Sequence, residues 1–139
     1  MTQINAYLAF DGNCREAMTF YHQCLGGNLE IKTFEGSPMA EKMPVELQQR
    51  VMHANIKKDG LVLMASDGGG MNESLIKGNT ITLSLNCSSD EEIEAFYAGL
   101  SAGGEITLPL ADQFWGAKFG MFTDKFGMDW MLNFDKNQS

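Results

Sequence analysis

One stretch of this sequence occurs twice, and the repeat limits the folds open to the chain more than any other feature. The first copy runs from Asn5 to Gly27 and the second from Asn79 to Gly104. In both copies, alternating apolar and polar residues predict a strand, and an amphipathic helix with an adjacent Phe-Tyr pair follows before Gly-Gly. The chain is therefore predicted to contain two similar supersecondary units.

The two helices are predicted by capping signals as well as by spacing. Asn13 and Glu16 are expected to form a capping box at the start of the first helix, and Ser89 and Glu92 at the start of the second. The apolar stripes recur at helical spacing, with Ala17, Phe20, Tyr21 and Cys24 in the first helix and Ile93, Phe96, Tyr97 and Leu100 in the second. Each helix is expected to pack one face against its own sheet.

The segments that follow the helices also correspond. Alternation predicts a strand near Leu29–Thr33 and another near Ile106–Leu110. Hairpins are predicted for Arg50–Lys57 with Leu61–Ser66, around Asp59-Gly60, and for Lys118–Thr123 with Met128–Phe134. Each half therefore has the order β-α-β-β-β, with a first module at 1–67, a linker at 68–78 and a second module at 79–139.

Composition excludes several classes of function. The 139 residues, 44% of them hydrophobic, suffice for one ordinary domain. A net charge of −8 without any basic cluster disfavours nucleic acid and anionic membranes as partners. The longest apolar run, Leu61–Ala65, is far below the ~20 residues of a membrane span. Three cysteines without a CxxC pair suit a reducing compartment, so we expect a cytoplasmic protein without disulfides.

Because one helix cannot cover both faces of a sheet, the doubling predicts an α+β fold of two tandem βαβββ modules. Their sheets are expected to curve into an open barrel around a shared cleft, with the helices outside. The strand period places these residues toward the cleft: Met64, Ser66, Thr80, Thr82, Ser84, Asp129, Met131 and Asn133. The register of the first hairpin sets Asn55 opposite Met64 and His53 opposite Ser66.

Three longer motifs, FDGNCREAMTFYHQCLGG, VMHANIKKDGLVLMASD and FWGAKFGMFTDKFGMDWM, carry a family resemblance. With the repeated order, they resemble the PhnB-like branch of the vicinal oxygen chelate superfamily, which includes glyoxalases, bleomycin-resistance proteins and extradiol dioxygenases. The resemblance covers almost the whole chain and implies the glyoxalase/bleomycin-resistance fold and a homodimer. Some members carry a demethylubiquinone methyltransferase label, but no glycine-rich βαβ site for S-adenosylmethionine is present, so that activity is not expected.

Members of the superfamily typically hold a divalent metal through His and Glu residues. The resemblance places these ligand positions on or near Ala6, Met64, Thr80 and Met131. None of the four offers an imidazole or a carboxylate, and a thioether suits Cu(I) better than Zn, Mn or Mg. We therefore expect no metal cofactor at the usual positions, and a divalent metal only through a non-standard set that includes His53 and Asp129.

Several residues are candidates for chemistry, each beside a plainer alternative. His53 is a possible general base, and Asp129 a possible acid or base if burial desolvates it, although a lone histidine is more often simply hydrogen bonded. Trp115, beside Phe114, is a candidate for stacking on a flat ligand or for core packing. Lys118 either pairs with an anionic ligand or is solvated, and Cys14 is either activated by the helix dipole or inert.

Two functions follow from these observations. The first is a protein that binds a small aromatic or amphipathic molecule in the cleft between the two modules, without the usual metal. Its candidate binding residues are Met64, Ser66, Thr80, Thr82, Trp115, Lys118 and Met131. The alternative is a metal-dependent lyase, isomerase or dioxygenase whose rearranged ligands include His53. The sequence leaves the ligand and the reaction open.

Overall fold

The computed structural model describes residues 2–67 and 75–136. It contains the order β-α-β-β-β twice, as predicted. The first set comprises β1 (Ala6–Ala9), α1 (Cys14–Leu25), β2 (Asn28–Thr33), β3 (Val51–Lys58) and β4 (Leu61–Ser66). The second set comprises β5 (Leu83–Asn86), α2 (Asp90–Ser101), β6 (Glu105–Asp112), β7 (Ala117–Thr123) and β8 (Asp129–Asp135).

The chain separates into two compact units, Met1–Ile76 and Lys77–Ser139. Most of the predicted linker 68–78 lies outside the described residues, because the description stops at Asp67 and resumes at Leu75. Between β2 and β3, the predicted loop contains two single-turn 3₁₀ segments, Ala40–Lys42 and Val45–Leu47. No helix in the described part of the chain has the length and apolar character needed to cross a bilayer.

The first unit contains a four-stranded mixed sheet with the strand order β1-β4-β3-β2. β1 runs parallel to β4, and the other pairs are antiparallel. Asp59 takes a positive φ of 50° in the turn between β3 and β4. Asn55 lies opposite Met64, as predicted. Regular pairing ends with Ala54 opposite Ala65, one residue short of the predicted His53–Ser66 pair.

The face of this sheet beneath α1 forms the core of the first unit. Its buried strand residues are Leu8, Ala54, Ile56, Leu63 and Ala65, and α1 buries Cys14, Ala17, Met18, Tyr21 and Leu25 against them. The predicted stripe is correct at Ala17 and Tyr21, whereas Phe20 and Cys24 are only half-buried. The buried face runs the length of the helix and is rotated about its axis from the predicted stripe, toward Cys14, Met18 and Leu25.

The predicted capping box at Asn13 is wrong, because that side chain makes no capping hydrogen bond. A carboxylate from the end of β4, Asp67, replaces it. Asp67 Oδ1 accepts hydrogen bonds from the backbone N–H groups of Gly12 and Cys14, each at 2.9 Å, and Oδ2 accepts from Val51 at 2.9 Å. This residue is 5% exposed, so one buried side chain joins the helix start to two strands.

In the second unit, the predicted capping of α2 is confirmed. Ser89 Oγ accepts a hydrogen bond from the N–H of Glu92 at 3.1 Å, and the Glu92 carboxylate accepts one from the N–H of Ser88 at 2.8 Å. Three of the four predicted stripe residues are buried, namely Ile93, Tyr97 and Leu100. The local sequence signals therefore determine this helix correctly.

The sheet of the second unit has the order β5-β8-β7-β6, again with one parallel pair, β5 with β8. Trp130, Leu132 and Phe122 are buried on the face beneath α2. A Cβ atom at Gly120 would lie 2.7 Å from the ring of Tyr97, so glycine at this position lets the helix approach the sheet.

The start of β5 differs from the prediction. The strand begins at Leu83, and Thr80 and Thr82 precede it. Ile81, which the same alternation would place beneath α2, is 74% exposed. The alternation of threonine and isoleucine here is a strand pattern, but β8 pairs only with residues from Leu83 onward, so the pattern begins before the sheet does.

Candidate functional site

Each sheet has one face opposite its helix, and several of the predicted site residues lie on these two faces. In the first unit this face carries Tyr7, His53, Asn55 and Met64, which we call the polar face. In the second unit it carries Ser84, Phe119, Met121, Met131 and Asn133, which we call the methionine face. Along each strand, the residues that alternate with these point to the opposite side of the sheet and pack beneath the helix.

On the polar face, His53 has a partner that the sequence did not reveal. The phenolic oxygen of Tyr7 and Nδ1 of His53 lie 3.1 Å apart and share a hydrogen bond, and the two ring centroids are 5.7 Å apart. The parallel pairing of β1 with β4 places Tyr7 beside Met64. Ser66 lies at the end of β4 on the same side as Met64, and its carbonyl oxygen accepts a hydrogen bond from Phe10 at 2.9 Å.

The burial of Asn55 is the second feature of the polar face that the sequence did not predict. This residue lies in a row with Met64 on one side and Glu30 on the other. It is 8% exposed, and its amide has no hydrogen bond to any described residue. The signal in the sequence was an asparagine between Ala54 and Ile56 in a strand, where apolar residues are favoured.

On the methionine face, two thioethers lie directly opposite each other. Met121 pairs with Met131, and Ser84 pairs with Met131 from the other side. Phe119 and Asn133 form the next pair on the same face. Both methionines are half-buried, so part of each flexible side chain remains accessible. Such a surface adapts to apolar ligands of different shapes.

A group of three aromatic residues adjoins this face. The ring of Trp115 packs edge-on against Phe114 at 5.1 Å and against Phe119 at 6.0 Å, measured between centroids. Trp115 is 52% exposed, so core packing does not account for it. The turn is held by hydrogen bonds from Gly116 to Gln113 at 3.1 Å and from Gln113 to Ala117 at 2.8 Å. Trp115 is thus positioned but half open to solvent.

Lys118 does not lie on the methionine face. Its ammonium group forms ion pairs with Glu94 at 2.6 Å and Asp90 at 3.4 Å, both on α2. Its side chain is half-buried on the helix side of β7, and the hydrogen bond to Glu94 raises the pKa of Lys118. Neither sequence alternative, an anionic ligand or plain solvation, describes what this residue does in the structure.

Asp129 is also engaged by neighbouring side chains. Its carboxylate accepts hydrogen bonds from Lys77 Nζ and from Thr123 Oγ1, each at 2.7 Å. The bond from Lys77, and then that from Thr123, holds the pKa of Asp129 below its ordinary value. The raised pKa that a proton donor needs near neutral pH is therefore not found.

Cys14, the remaining candidate, and His22, the histidine of α1, have structural roles. Burial raises the pKa of the Cys14 thiol to about 12, and the charge of Asp67 adds to the effect, so the thiol is inert as the plainer alternative held. His22, for which the sequence showed no partner, donates from Nε2 to the carbonyl oxygen of Gly27 at 2.9 Å. Neither residue belongs to the two faces.

Two of the four residues that the resemblance implied as ligand positions, Ala6 and Thr80, differ from the residues that lie on the two faces. Ala6 pairs with Leu63 on the helix side, and Tyr7 is the β1 residue on the polar face. Thr80 lies before β5, and Ser84 is the β5 residue beside Met131. Both differences are shifts along a strand, by one residue in β1 and by four in β5.

The chemistry of these groups does not fit a divalent metal. The side chains present are a phenol and a thioether in the first unit and a hydroxyl and a thioether in the second. Hard and borderline cations prefer carboxylate, imidazole or thiolate ligands. Within residues 2–67 and 75–136, no three His, Cys, Asp or Glu side chains form a group that could hold a metal ion.

Two β-α-β-β-β units, each with a four-stranded mixed sheet and one covering helix, define a protein with the glyoxalase fold. The model of the Glyoxalase/Bleomycin resistance protein/Dioxygenase superfamily matches residues 3–132. The chain therefore belongs to that superfamily.

Individual relatives support the same assignment. The chain is 33% identical to Protein YjdN from Escherichia coli (strain K12) over 144 aligned positions, which cover 97% of each chain. The crystal structure of PA1353 from Pseudomonas aeruginosa is 43% identical with a TM-score of 0.82, covering 97% of this chain and 98% of that one. The PhnB protein from Bacillus cereus is 26% identical with a TM-score of 0.73, covering 96% and 99%. The resemblance to the PhnB-like branch is confirmed.

Proposed function

We propose that this protein binds a small, flat, largely apolar organic molecule on the methionine face, without the usual divalent metal. The observation that carries the proposal is the position of Trp115, which is half exposed yet fixed edge-on against Phe119. Next to it, Met121 and Met131 offer adaptable apolar contacts, and Asn133 lies beside Phe119 as a polar group. A flat ligand would stack on the indole and cover the thioethers.

Of the predicted binding residues, Met131 and Trp115 therefore remain at the centre of the proposal. Met64 and Ser66 belong to the polar face of the first unit. Thr80 and Thr82 precede β5, and Lys118 is paired with α2. The proposed site also includes the ring of Phe119 and the thioether of Met121, which the sequence analysis did not predict as binding groups.

The alternative, a metal-dependent lyase, isomerase or dioxygenase, has less support. Nδ1 of His53 already shares a hydrogen bond with Tyr7. Asp129 is ion-paired with Lys77 at 2.7 Å. The Nε2 atom of His53 could still ligate a cation, but Asp129 would have to exchange Lys77 for it, and the surrounding thioethers would not assist binding of Zn, Mn or Mg.

Two further parts of the proposal concern the cellular compartment and the oligomeric state. The three free cysteines, Cys14, Cys24 and Cys87, suit a reducing cytoplasm. A homodimer is proposed from the family resemblance. Size-exclusion chromatography with light scattering would show a mass of twice 15.3 kDa at micromolar concentration, whereas a 15.3 kDa particle would contradict the dimer.

Methionine methyl NMR tests the binding proposal directly. The chain has ten methionines, and ¹³C-methyl labelling gives each its own reporter. With 2-naphthol as the probe, the signals of Met121 and Met131 are expected to shift, while that of Met18, buried beneath α1, stays in place. Shifts confined to methionines outside this face, or no shift at millimolar probe, would contradict the proposal.

Substitutions distinguish stacking on Trp115 from non-specific binding of the probe. Trp115→Ala is expected to weaken 2-naphthol binding roughly five- to tenfold, since an aromatic pair contributes about 1 kcal/mol beyond its buried area. Met131→Ala should also weaken binding. The matched control is Met39→Ala, which removes an exposed methionine in the loop of the first unit and should leave the affinity unchanged.

A further inference from the structure

Asn55 is an unusual residue for its place in the fold. β3 has a hydrogen-bonded neighbour on both sides, β4 and β2, so Asn55 lies in the interior of the sheet. Asparagine is disfavoured in strands, and a buried amide without a hydrogen bond is costly compared with an apolar side chain of the same size. The fold alone therefore gives no reason for an amide at this position.

The side-chain nitrogen and oxygen of Asn55 are partly accessible from the surface. The residue is 8% exposed, and its amide is not hydrogen bonded to any described residue. Within residues 2–67 and 75–136, every fully buried side-chain nitrogen or oxygen has a hydrogen-bond partner. The nitrogen and oxygen of Asn55 are thus not fully buried, and the small exposed fraction of the residue includes them. An otherwise buried amide presents its polar end where a small molecule can contact it.

A second polar group lies on the same face. Tyr7 is in register with Met64, and Met64 with Asn55, so the three side chains form one row across the sheet. Two residues along β3, His53 shares its Nδ1 with the phenol of Tyr7. A phenol and an imidazole each donate or accept, and neither carries the permanent charge of a lysine or arginine. On β2, the neighbours of Asn55 and His53 on this face are Glu30 and Lys32, which are exposed and of opposite charge. The polar groups of Asn55, Tyr7 and His53 are suited to a neutral polar ligand.

From this arrangement we infer that the polar face is a binding site for a neutral carboxamide or lactam. The Asn55 amide offers one acceptor and two donors side by side, which is complementary to the C=O and N–H of another amide. The Tyr7–His53 pair would accept or donate a further hydrogen bond, and Met64 would contact the apolar part of the ligand. The inference rests on the proposed small-molecule-binding function but concerns the other unit.

The test uses benzamide as the probe and the side-chain amide signals of a ¹H–¹⁵N spectrum as the readout. Benzamide is expected to shift the Asn55 side-chain signals in a saturable way. Acetophenone, which has the ring and carbonyl but no N–H, should bind at least fivefold more weakly, and benzoate should not replace benzamide. A fragment of this size is expected to bind with a dissociation constant of about 10 mM or less. No shift of Asn55 at about 10 mM benzamide would therefore overturn the inference, as would tighter binding of benzoate.

A substitution distinguishes a binding amide from a structural one. Asn55→Leu is expected to fold with a thermal midpoint equal to or above that of the native chain, while benzamide affinity falls at least fivefold. Asn86→Leu, on β5 of the other unit, is the matched control and should keep full affinity. Equal benzamide binding by Asn55→Leu would refute the inference. If this variant does not fold, the Asn55 signals of the native chain still decide.

The proposals for the two sites can be contradicted by different results. Loss of benzamide binding at Asn55 with intact 2-naphthol shifts at Met131 would overturn this inference alone. Absence of the Met131 shifts with a saturable response at Asn55 would overturn the methionine-face proposal and leave the amide site standing. Tyr7→Phe, which keeps the ring but removes the phenolic hydroxyl, should weaken benzamide about threefold or more, since a neutral hydrogen bond contributes on this scale.

Discussion

Replacement of Asp67 is expected to be among the most damaging changes in the first unit. Its carboxylate accepts three backbone hydrogen bonds at 2.9 Å, from Gly12, Cys14 and Val51. Hydrogen bonds to a charged group contribute about 1.5–3 kcal/mol each, and alanine at this position would leave the three N–H donors without the carboxylate. Partial hydration of the cavity reduces the sum. We expect Asp67→Ala to lower the free energy of unfolding by about 3–5 kcal/mol.

Urea unfolding followed by far-ultraviolet circular dichroism measures this loss of stability, and two control variants show whether it is specific to Asp67. Asp11→Ala removes an exposed carboxylate that pairs with Arg50 at 3.0 Å and should cost less than about 1 kcal/mol. Asn13→Ala should cost less than about 0.5 kcal/mol, because this residue makes no capping hydrogen bond. The reasoning is refuted if Asp67→Ala costs no more than Asp11→Ala, or if Asn13→Ala costs more than Asp67→Ala.

Three further outcomes are expected. Gly104→Ala should destabilise the chain by about 2 kcal/mol in urea unfolding, because its Cβ would overlap the backbone of Thr123, whereas Gly60→Ala has open space and should be neutral. The stability that Asp129 contributes through its lowered pKa is present at neutral pH and should be lost as pH falls below about 4, so Asp129→Asn and native chain should converge there. At pH 8, iodoacetamide should modify Cys14 only after unfolding, and rapid native-state labelling would contradict its burial.

The features that the sequence predicted well are encoded by neighbouring residues. The turn at Asp59-Gly60 determines the register of β3 and β4, which is why the pair Asn55–Met64 was correct. Ser89 and Glu92 lie within one helical turn of each other, so their capping bonds were also predicted. Both predictions depend only on contacts between residues that are close in the sequence, so the spacing of those residues along the chain is sufficient to make them.

The features that were missed depend on contacts between distant residues. The cap of α1 comes from Asp67, 53 positions after Cys14, and the nearer Asn13 was the obvious but wrong candidate. Likewise, Tyr7 and His53 meet only because β1 pairs in parallel with β4. Such long-range contacts carry no local sequence signal.

Candidate site residues on loops and strand ends were the least predictable. The side on which Lys118 points follows from strand period, but its pairing with Glu94 depends on where α2 lies. Thr80 and Thr82 continue the alternation of β5, yet β8 pairs only from Leu83. Asn55 was placed correctly in the register, while its burial without a hydrogen bond emerged only from the folded chain.

The central claim is that side chains of the methionine face, and no divalent cation, hold the ligand. The most direct test combines metal analysis of protein purified without chelator with 2-naphthol titration before and after EDTA, read from the Met131 methyl signal. We predict less than stoichiometric Zn, Mn, Ni or Fe and the same dissociation constant in both titrations. Stoichiometric metal, with binding lost on chelation and restored by adding the metal back, would contradict the account.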